Sequence, residues 1–374
     1  MQIAKATLAP LTSVRFLAAL RVAAYHFVEW QKKNFWWRGL MYTPISVSYF
    51  FVSSGFLLAY NYSERVDRQE MNYKNFFLGR CARLLPVYIL GLLVALPLLF
   101  WPIRNFSPGK AVLTALMLQA WSPQSALYWN GPAWALSNLA FFYTVLPILL
   151  ILTRSFSNRS CLVFAGLAWA TSVALSIAYL HWNPDGLGYI DNESVGFWLF
   201  LLKYNPLVRL PEFFLGVMAG RLFLSTGGFR AKTSTIVFLV AGALLLAALL
   251  LGGRLPYPLA ISGLFAPLLA LLVSSLASGG LGARLLRHKW FVLLGNSSFC
   301  LYMLHLPIWN FVHSYFGSHV FSHVENAALL LGMIVLCLLL YKYVEVPASA
   351  AFRNLLISQP KARPTAIPAP AVPN

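Results

Sequence analysis

The 374-residue chain has few charged residues and very few acidic ones. Asp and Glu together number 10, and the four charged residue types make up 10% of the chain, whereas a soluble protein carries about 25%. Hydrophobic residues make up 59%. This composition excludes a soluble enzyme and a disordered chain, and it indicates an integral membrane protein.

Cysteine is also scarce, and its spacing excludes two further classes. The four cysteines stand far apart among apolar neighbours, and no two of them form a C-x-x-C pair. A disulfide framework and a zinc ribbon both need closely spaced cysteines. We therefore predict neither, and no metal cofactor.

The net charge of +18 raises the question of a nucleic-acid partner. However, the chain has no basic helix and no basic patch with interleaved aromatic residues. Its basic residues fall in short groups between apolar runs, as they do in the cytoplasmic loops of membrane proteins. We predict contact with membrane lipid and no nucleic-acid partner.

Ten apolar runs are long enough to cross a bilayer as helices, which takes about 17–25 residues. The sequence therefore predicts an all-α polytopic membrane protein. The predicted spans are 11–30, 40–63, 84–101, 133–153, 160–181, 207–224, 234–252, 258–277, 291–316 and 326–347. The run 111–121 is too short to span, and we predict an interfacial or re-entrant segment there.

The basic residues predict the orientation of these spans. With ten spans, one set of loops and both termini hold 18 Lys and Arg residues, and the opposite loops hold seven. Because basic loops stay in the cytoplasm, we predict that both termini are cytoplasmic. We assign residues 1–350 to one transmembrane domain and 351–374 to a Pro/Ala-rich tail that is disordered.

Ionisable residues within predicted spans are costly, and function is the default explanation for them. Arg15 and His26 are eleven residues apart in the first span, which places them on nearly one helix face, roughly 16 Å apart along the axis. The alternatives are an Arg15 that reaches the interface and a His26 that bonds a backbone carbonyl.

Two other charged pairs are each one helical turn apart. Arg80 and Arg83 stand at the cytoplasmic mouth of the third span, where two guanidinium groups can clamp phosphate or serve as ordinary flanking charge. Arg209 and Glu212 lie in the sixth span and can neutralise each other. His305 follows Tyr302 on one face of the ninth span, as a functional or a core histidine.

Six segments of the chain together resemble the acyltransferase family 3 membrane proteins. They carry an Arg followed by His after ten residues, a serine- and glycine-containing second span, an Arg-x-x-Arg-x-x-Pro element, two later motifs and a closing Glu-x-Pro. These segments are Leu11–His26, Phe50–Phe56, Arg80–Tyr88, Arg209–Gly216, Ser298–His305 and Glu345–Pro347. They cover nearly the whole chain in the family's order.

The resemblance implies an O-acyltransferase of the bacterial inner membrane. It implies a cytoplasmic acyl-CoA donor, with acetyl-CoA expected, and as acceptor a hydroxyl of an extracytoplasmic or lipid-linked glycan, such as exopolysaccharide or lipopolysaccharide. It also leaves open an association with polysaccharide assembly machinery. The implied catalytic residues are His26, as general base, with Arg15, Glu212 and His305; the donor-binding residues are Arg80 and Arg83; the acceptor-binding residues are Arg209, Tyr302, Trp134 and Ser137.

One position departs from the family pattern. The family has Trp-Ser-Leu-Ser-x-Glu in the fourth span, whereas this chain has Leu139 at the place of the Glu. A shifted acceptor site, a compensating residue elsewhere and reduced activity are the alternatives.

Two other functions fit the same residues. Intramembrane Arg, His and Glu also suit a transporter or flippase for a polysaccharide precursor or small molecule. An inactive subunit of an export complex is a third possibility, which the missing carboxylate favours. Arg80 and Arg83, one helical turn apart at the cytoplasmic mouth of the third span, have the spacing of a phosphate clamp. This spacing favours the enzyme over the transporter.

Overall fold

The computed structural model of the chain describes residues 8–27, 43–100, 106–251, 254–317 and 319–357. These residues form helices and connecting turns, with no strand among them. The all-α prediction is therefore confirmed for the described part of the chain.

The α-helices, numbered here in chain order, are α1 Ala9–Phe27, α2 Pro44–Asp67, α3 Tyr73–Ala95, α4 Pro108–Ala115, α5 Trp134–Leu152, α6 Asn158–Trp182, α7 Phe197–Tyr204, α8 Pro206–Thr226, α9 Ala231–Leu251, α10 Tyr257–Ile261, α11 Ala266–Ser278, α12 Gly280–Leu286, α13 Lys289–Phe316, α14 His323–Leu340 and α15 Val346–Leu356. Short 3-10 turns follow α3 and precede α5, and a π-helical turn, Tyr341–Glu345, joins α14 to α15.

Where the structure describes them, the ten predicted spans are largely helical, but the helices are of two kinds. Within the described residues, seven helical segments are long and apolar enough to cross a membrane. The three others, α1, α2 and α8, are more polar and lie largely buried among their neighbours. Ten crossings and cytoplasmic termini therefore stay predictions, while several membrane-spanning helices are established.

The centre of the fold is the crossing of α2 with α8. A Cβ atom at Gly216 would lie 2.1 Å from the Val52 carbonyl oxygen, and one at Gly55 would lie 2.1 Å from the Phe213 carbonyl oxygen. Gly220 meets Ala59 in the same way, at 2.8 Å. Small residues four apart on both helices thus let the two backbones touch, as is common where helices pack in membranes.

A second close crossing joins α1 to α13. A Cβ atom at Gly295 would lie 2.2 Å from the Thr12 carbonyl oxygen. This contact fixes α1, which carries Arg15 and His26, against the helix that carries His305. The first and the fifth of the six motifs, Leu11–His26 and Ser298–His305, are therefore neighbours in the fold.

The eighth predicted span, 258–277, is confirmed as a long apolar helical segment, Tyr257–Ser278, but it is not one continuous α-helix. The structure divides it into α10 and α11, with a turn at 262–265 in which Gly263 has a φ of 75°. This backbone conformation favours glycine, and a Cβ there would also lie 2.7 Å from the Glu212 side chain. The break frees the carbonyl of Ile261, which accepts a hydrogen bond from Arg209.

Two other predicted segments have the following structure. The run 111–121 forms part of α4 and a short 3-10 turn, with Val112 and Leu116 exposed, rather than a spanning helix. The last predicted span continues beyond 347 into α15, so helix crosses the boundary assigned at residue 350. The rest of the predicted tail, 358–374, lies outside the described residues.

The α2–α8 crossing gives a stability prediction. Gly216→Ala forces the backbones apart, and overpacking of this kind typically costs about 1–3 kcal/mol. We expect a lower thermal unfolding midpoint in detergent. Gly242→Ala is the matched control, because nothing lies within 4 Å of a Cβ atom at that position in α9. Equal midpoints for the two variants would contradict the close crossing.

Candidate functional site

The site consists of two cavities, and most of the site residues expected from the sequence line one or the other. The first, which we call the histidine cavity, has a volume of about 390 Å³ and is lined by His26, His305, Arg209, Tyr302 and Trp134 among others. The second, the arginine cavity, has a volume of about 600 Å³ and is lined by Arg15, Arg80 and Arg83. Tyr302 lines both cavities.

The two histidines face each other in the histidine cavity. The ring centroids of His26 and His305 are 5.2 Å apart. Nδ1 of His305 lies 2.7 Å from the Tyr302 carbonyl oxygen and 3.2 Å from that of Leu301. Because carbonyl oxygens only accept hydrogen bonds, Nδ1 carries the proton and Nε2 keeps its lone pair. That buried Nε2 has no partner among the described residues.

His305 therefore combines two properties that the sequence left as alternatives. Its Nδ1 is satisfied by backbone carbonyls, as in a core histidine. Its ring also lines the cavity and presents a basic nitrogen beside His26. Fixing one ring nitrogen in this way determines which nitrogen is available for chemistry.

A polar cluster covers one side of the histidine cavity, and sequence reasoning missed it. Tyr25 donates a hydrogen bond to the Glu193 carboxylate. Asn192 accepts a hydrogen bond from Tyr257 at 2.7 Å and two from Lys203, both at 3.0 Å. Four of these five side chains line the cavity. Tyr25 does not, but its hydrogen bond holds the Glu193 carboxylate in place.

This cluster depends on an ordered connection between α6 and α7. Asp185 accepts hydrogen bonds from the backbone N–H groups of Trp198 and Leu199 at the start of α7, at 3.1 and 2.8 Å. Asp191 accepts one from the backbone N–H of Glu193 at 3.0 Å. These carboxylate–backbone bonds hold residues 185–199 in one conformation. The sequence did contain a signal for this loop. The whole chain has only ten acidic residues, and three of them, Asp185, Asp191 and Glu193, fall here.

Lys203 is the cation of the polar cluster. Burial lowers the pKa of Lys203 to about 8, and the nearby Glu193 carboxylate opposes this shift. The ammonium group also lies over the rings of Tyr204 and Tyr257, 5.3 and 5.1 Å from their centroids. Its hydrogen bonds go to the neutral Asn192, and the nearby Glu193 carboxylate favours its protonated form.

Arg209 and Glu212 form a buried ion pair, 3.0 Å apart. The guanidinium also donates to the Ile261 carbonyl, and it lies over the rings of Phe51 and Trp134. Arg209 lines the histidine cavity, whereas Glu212 lies behind it and is not among the lining residues. The geometry thus gives Glu212 contact with Arg209 rather than with the cavity.

The fourth predicted span contributes to both cavities. Trp134 lines the histidine cavity, and farther along the same helix Leu139 and Tyr143 line the arginine cavity. Ser137 is buried and lines neither cavity, and its hydroxyl has no partner among the described residues.

The arginine cavity concentrates positive charge at one end of the bundle. Arg80 is half-buried and donates to the Tyr62 hydroxyl at 3.1 Å, while its Nε–H has no acceptor among the described residues. Arg83 is exposed at the cavity, and Arg15 lies on α1. Three guanidinium groups around one cavity form a site suited to a polyanion.

Glu345 is the one carboxylate among the described residues that line the arginine cavity. It is buried on the π-helical turn and accepts a hydrogen bond from the Cys300 thiol at 3.1 Å. Leu139, at the position where the family pattern has Glu, lines the same cavity. A carboxylate is therefore present in this cavity, although a different helix supplies it.

Comparison with known proteins identifies the family of the chain. A family model described as an acyltransferase domain, the family 3 model, matches residues 10–342. The chain is 28% identical over 366 aligned residues to a protein named acyltransferase MdmB from Streptomyces mycarofaciens, and the alignment covers 90% of each chain. No solved structure gives a significant match. The chain belongs to acyltransferase family 3, and it is an acyltransferase with several membrane-spanning helices.

Proposed function

We propose that this acyltransferase takes an acyl group, with acetyl expected, from acyl-CoA in the arginine cavity and transfers it to a sugar hydroxyl in the histidine cavity. The observation that carries the proposal is that the two cavities meet at Tyr302. One cavity has the charge to hold a phosphate-rich donor, and the other has the basic groups to activate a hydroxyl.

The arginine cavity fits the donor because CoA carries several phosphates. A guanidinium group offers two parallel N–H donors to phosphate oxygens and stays charged. Arg80 and Arg83 lie on successive turns of α3, and Arg15 extends the positive charge along α1. In the predicted orientation this cavity faces the cytoplasm, where acyl-CoA is made.

The histidine cavity fits the acceptor because a hydroxyl must lose its proton as it attacks a thioester. A neutral imidazole is the usual base for this step. His26 and His305 lie together, and Nε2 of His305 is fixed as a proton acceptor. We assign His26 the role of base, with His305 beside it.

Arg209 supplies the complementary charge. Its Nε–H has no acceptor among the described residues, although its other nitrogens bond Glu212 and Ile261. A donor of this kind can stabilise the negative oxygen that forms when the hydroxyl adds to the thioester carbonyl. Glu212 then acts through Arg209 by holding it in place.

The acceptor belongs on the extracytoplasmic side of a bacterial inner membrane, and we propose a glycan of the exopolysaccharide or lipopolysaccharide type. A transporter remains the alternative from sequence, but the family membership favours group transfer. The direct experiment incubates the purified protein with radiolabelled acetyl-CoA and candidate glycans. Label in the glycan supports the proposal, and counterflow of glycan without label transfer overturns it.

The role of His26 gives a sharp prediction. His26→Gln keeps the size and hydrogen-bonding capacity of the side chain but cannot take up a proton. We expect a folded protein whose transfer rate falls roughly 10²- to 10⁴-fold, the usual contribution of a general base. The measurement is the initial rate of acetyl transfer at saturating acetyl-CoA.

His313→Gln is the matched control, because His313 lies on the same helix as His305 but lines neither cavity. A His26→Gln protein with near-normal transfer would contradict the assignment of His26, and His305 would then be the base. If His26→Ala alone lost expression, a structural role would be indicated.

The donor site gives a second prediction. Arg80→Ala and Arg83→Ala each remove a charged hydrogen-bond donor, which typically costs about 1.5–3 kcal/mol. We expect KM for acetyl-CoA to rise roughly ten- to a hundredfold in each variant. The dependence of the transfer rate on acetyl-CoA concentration measures this effect.

Arg68→Ala is the matched control for the donor site. Arg68 is an exposed arginine at the end of α2 and does not line the arginine cavity. If all three variants showed the same KM, Arg80 and Arg83 would be ordinary flanking charges.

A further inference from the structure

A proline removes one backbone hydrogen bond of α13 next to His305. Pro307 lies inside this helix, two residues after the histidine. Because proline has no backbone N–H, the carbonyl four residues earlier, that of Met303, loses its helical donor. Met303 is fully buried, so bulk water does not reach it, and a buried carbonyl without a hydrogen bond is costly.

Asn130 supplies a donor to this carbonyl from another part of the chain. Its side-chain Nδ2 donates to the Met303 carbonyl at 3.1 Å, and the residue is 1% exposed. The orientation of the amide follows from the partner, because a carbonyl oxygen only accepts hydrogen bonds and only the NH2 group can donate. The side chain of Asn130 therefore takes the place of the N–H that Pro307 lacks.

The residue before Asn130 makes a similar contact with α3. The indole N–H of Trp129 donates to the Leu92 carbonyl at 2.9 Å. The N–H of Leu96, which would bond Leu92 in a continued α-helix, donates instead to Leu93, where α3 changes to a 3-10 turn. Two consecutive side chains thus bond carbonyls of two different helices, each at a place where the regular helical donor is absent.

The space around the Asn130 amide is closely filled. A Cβ atom at Gly91 of α3 would lie 3.0 Å from Nδ2 of Asn130 and 3.0 Å from Cε of Met303. A Cβ atom at Gly131 would lie 2.8 Å from the Leu306 side chain. Asn130 is therefore packed between α3 and one turn of α13.

The same turn of α13 sets the orientation of His305. Nδ1 of His305 bonds the carbonyls of Leu301 and Tyr302, and the next carbonyl along the helix is the one that Asn130 bonds. Asn130 itself lines neither cavity, whereas the residues on both sides of it line the histidine cavity. Its influence on the cavity is therefore indirect and acts through α13.

We propose that Asn130 is a positioning residue for the transfer reaction, which replaces the helical donor that Pro307 removes and so holds His305 with Nε2 available in the cavity. The proposal rests on the proposed function, because it takes the histidine cavity as the place of transfer. Without the amide, the unpaired Met303 carbonyl is free to tilt, and a helix bends most easily at a proline. Such a bend moves the imidazole of His305.

The first test compares two buried amides of one segment. Asn130→Ala and Gln119→Ala each remove a side-chain amide that donates to a backbone carbonyl; Gln119 donates to Ala133 at 2.9 Å and lines neither cavity. We expect both variants to lower the thermal unfolding midpoint. Only Asn130→Ala should lower kcat, roughly ten- to a hundredfold per acetyl-CoA binding site, as for a displaced catalytic group. A kcat that falls equally in both variants, or in neither, overturns the proposal.

A double variant tests the link to Pro307. Pro307→Ala restores a backbone N–H that can donate to the Met303 carbonyl within the helix. We expect the protein with both Asn130→Ala and Pro307→Ala to recover most of the kcat that Asn130→Ala alone loses, because two changes at one carbonyl are not additive. A double variant that is no faster than Asn130→Ala overturns the proposal.

The imidazole signals of His305 separate this proposal from the proposed function. They are observed by NMR in the full chain, labelled with ¹⁵N-histidine and held in lipid nanodiscs, and His305→Gln assigns them. We expect one set of His305 signals in the wild-type protein and in Gln119→Ala, and a second set in Asn130→Ala.

The two measurements together show which idea fails. If the second set of signals occurs but the wild-type protein transfers no acetyl group to any glycan, the positioning by Asn130 stands and the proposed function fails. If the wild-type protein transfers acetyl and Asn130→Ala has the same signals and the same kcat, the proposed function stands and the positioning by Asn130 is overturned.

Discussion

The close crossing of α2 and α8 is the contact on which the rest of the site depends. Small residues on both helices bring the backbones together, and α8 then holds Arg209 and Glu212 in the middle of the bundle. Burying a guanidinium is costly unless its charge is paired and most of its N–H groups are hydrogen-bonded. Glu212 meets the charge, the break between α10 and α11 supplies the carbonyl of Ile261, and the rings of Phe51 and Trp134 cover the flat faces.

The division into two cavities follows from the same packing. Helices such as α6 and α9 are apolar and exposed around most of their surface, so in a membrane they can enclose more polar helices and keep them away from hydrocarbon. Between these helices, the arginine cavity and the histidine cavity meet at Tyr302. Our proposed transfer places donor and acceptor on either side of this residue, which gives each substrate access from its own side of the membrane.

Much of the fold and part of the candidate site could be predicted from the sequence. Long apolar runs predicted helices at the positions where they occur, because a span needs a fixed length of apolar residues. The eleven-residue spacing of Arg15 and His26 placed them on one face, yet they line different cavities, since they are roughly 16 Å apart along the helix axis. Glu193 and Lys203 were missed because their position depends on how the connection 183–196 folds over the bundle.

The sequence by itself determined the membrane class, the helical content and the family, because composition and local periodicity are properties of the chain alone. Only the tertiary structure decided which distant residues meet. His26 and His305 become neighbours through the α1–α13 crossing, Glu345 enters the cavity that Leu139 also lines, and the turn at Gly263 divides one apolar segment into two helices. Each of these depends on contacts between segments tens to hundreds of residues apart, and no local pattern in the chain encodes such a contact.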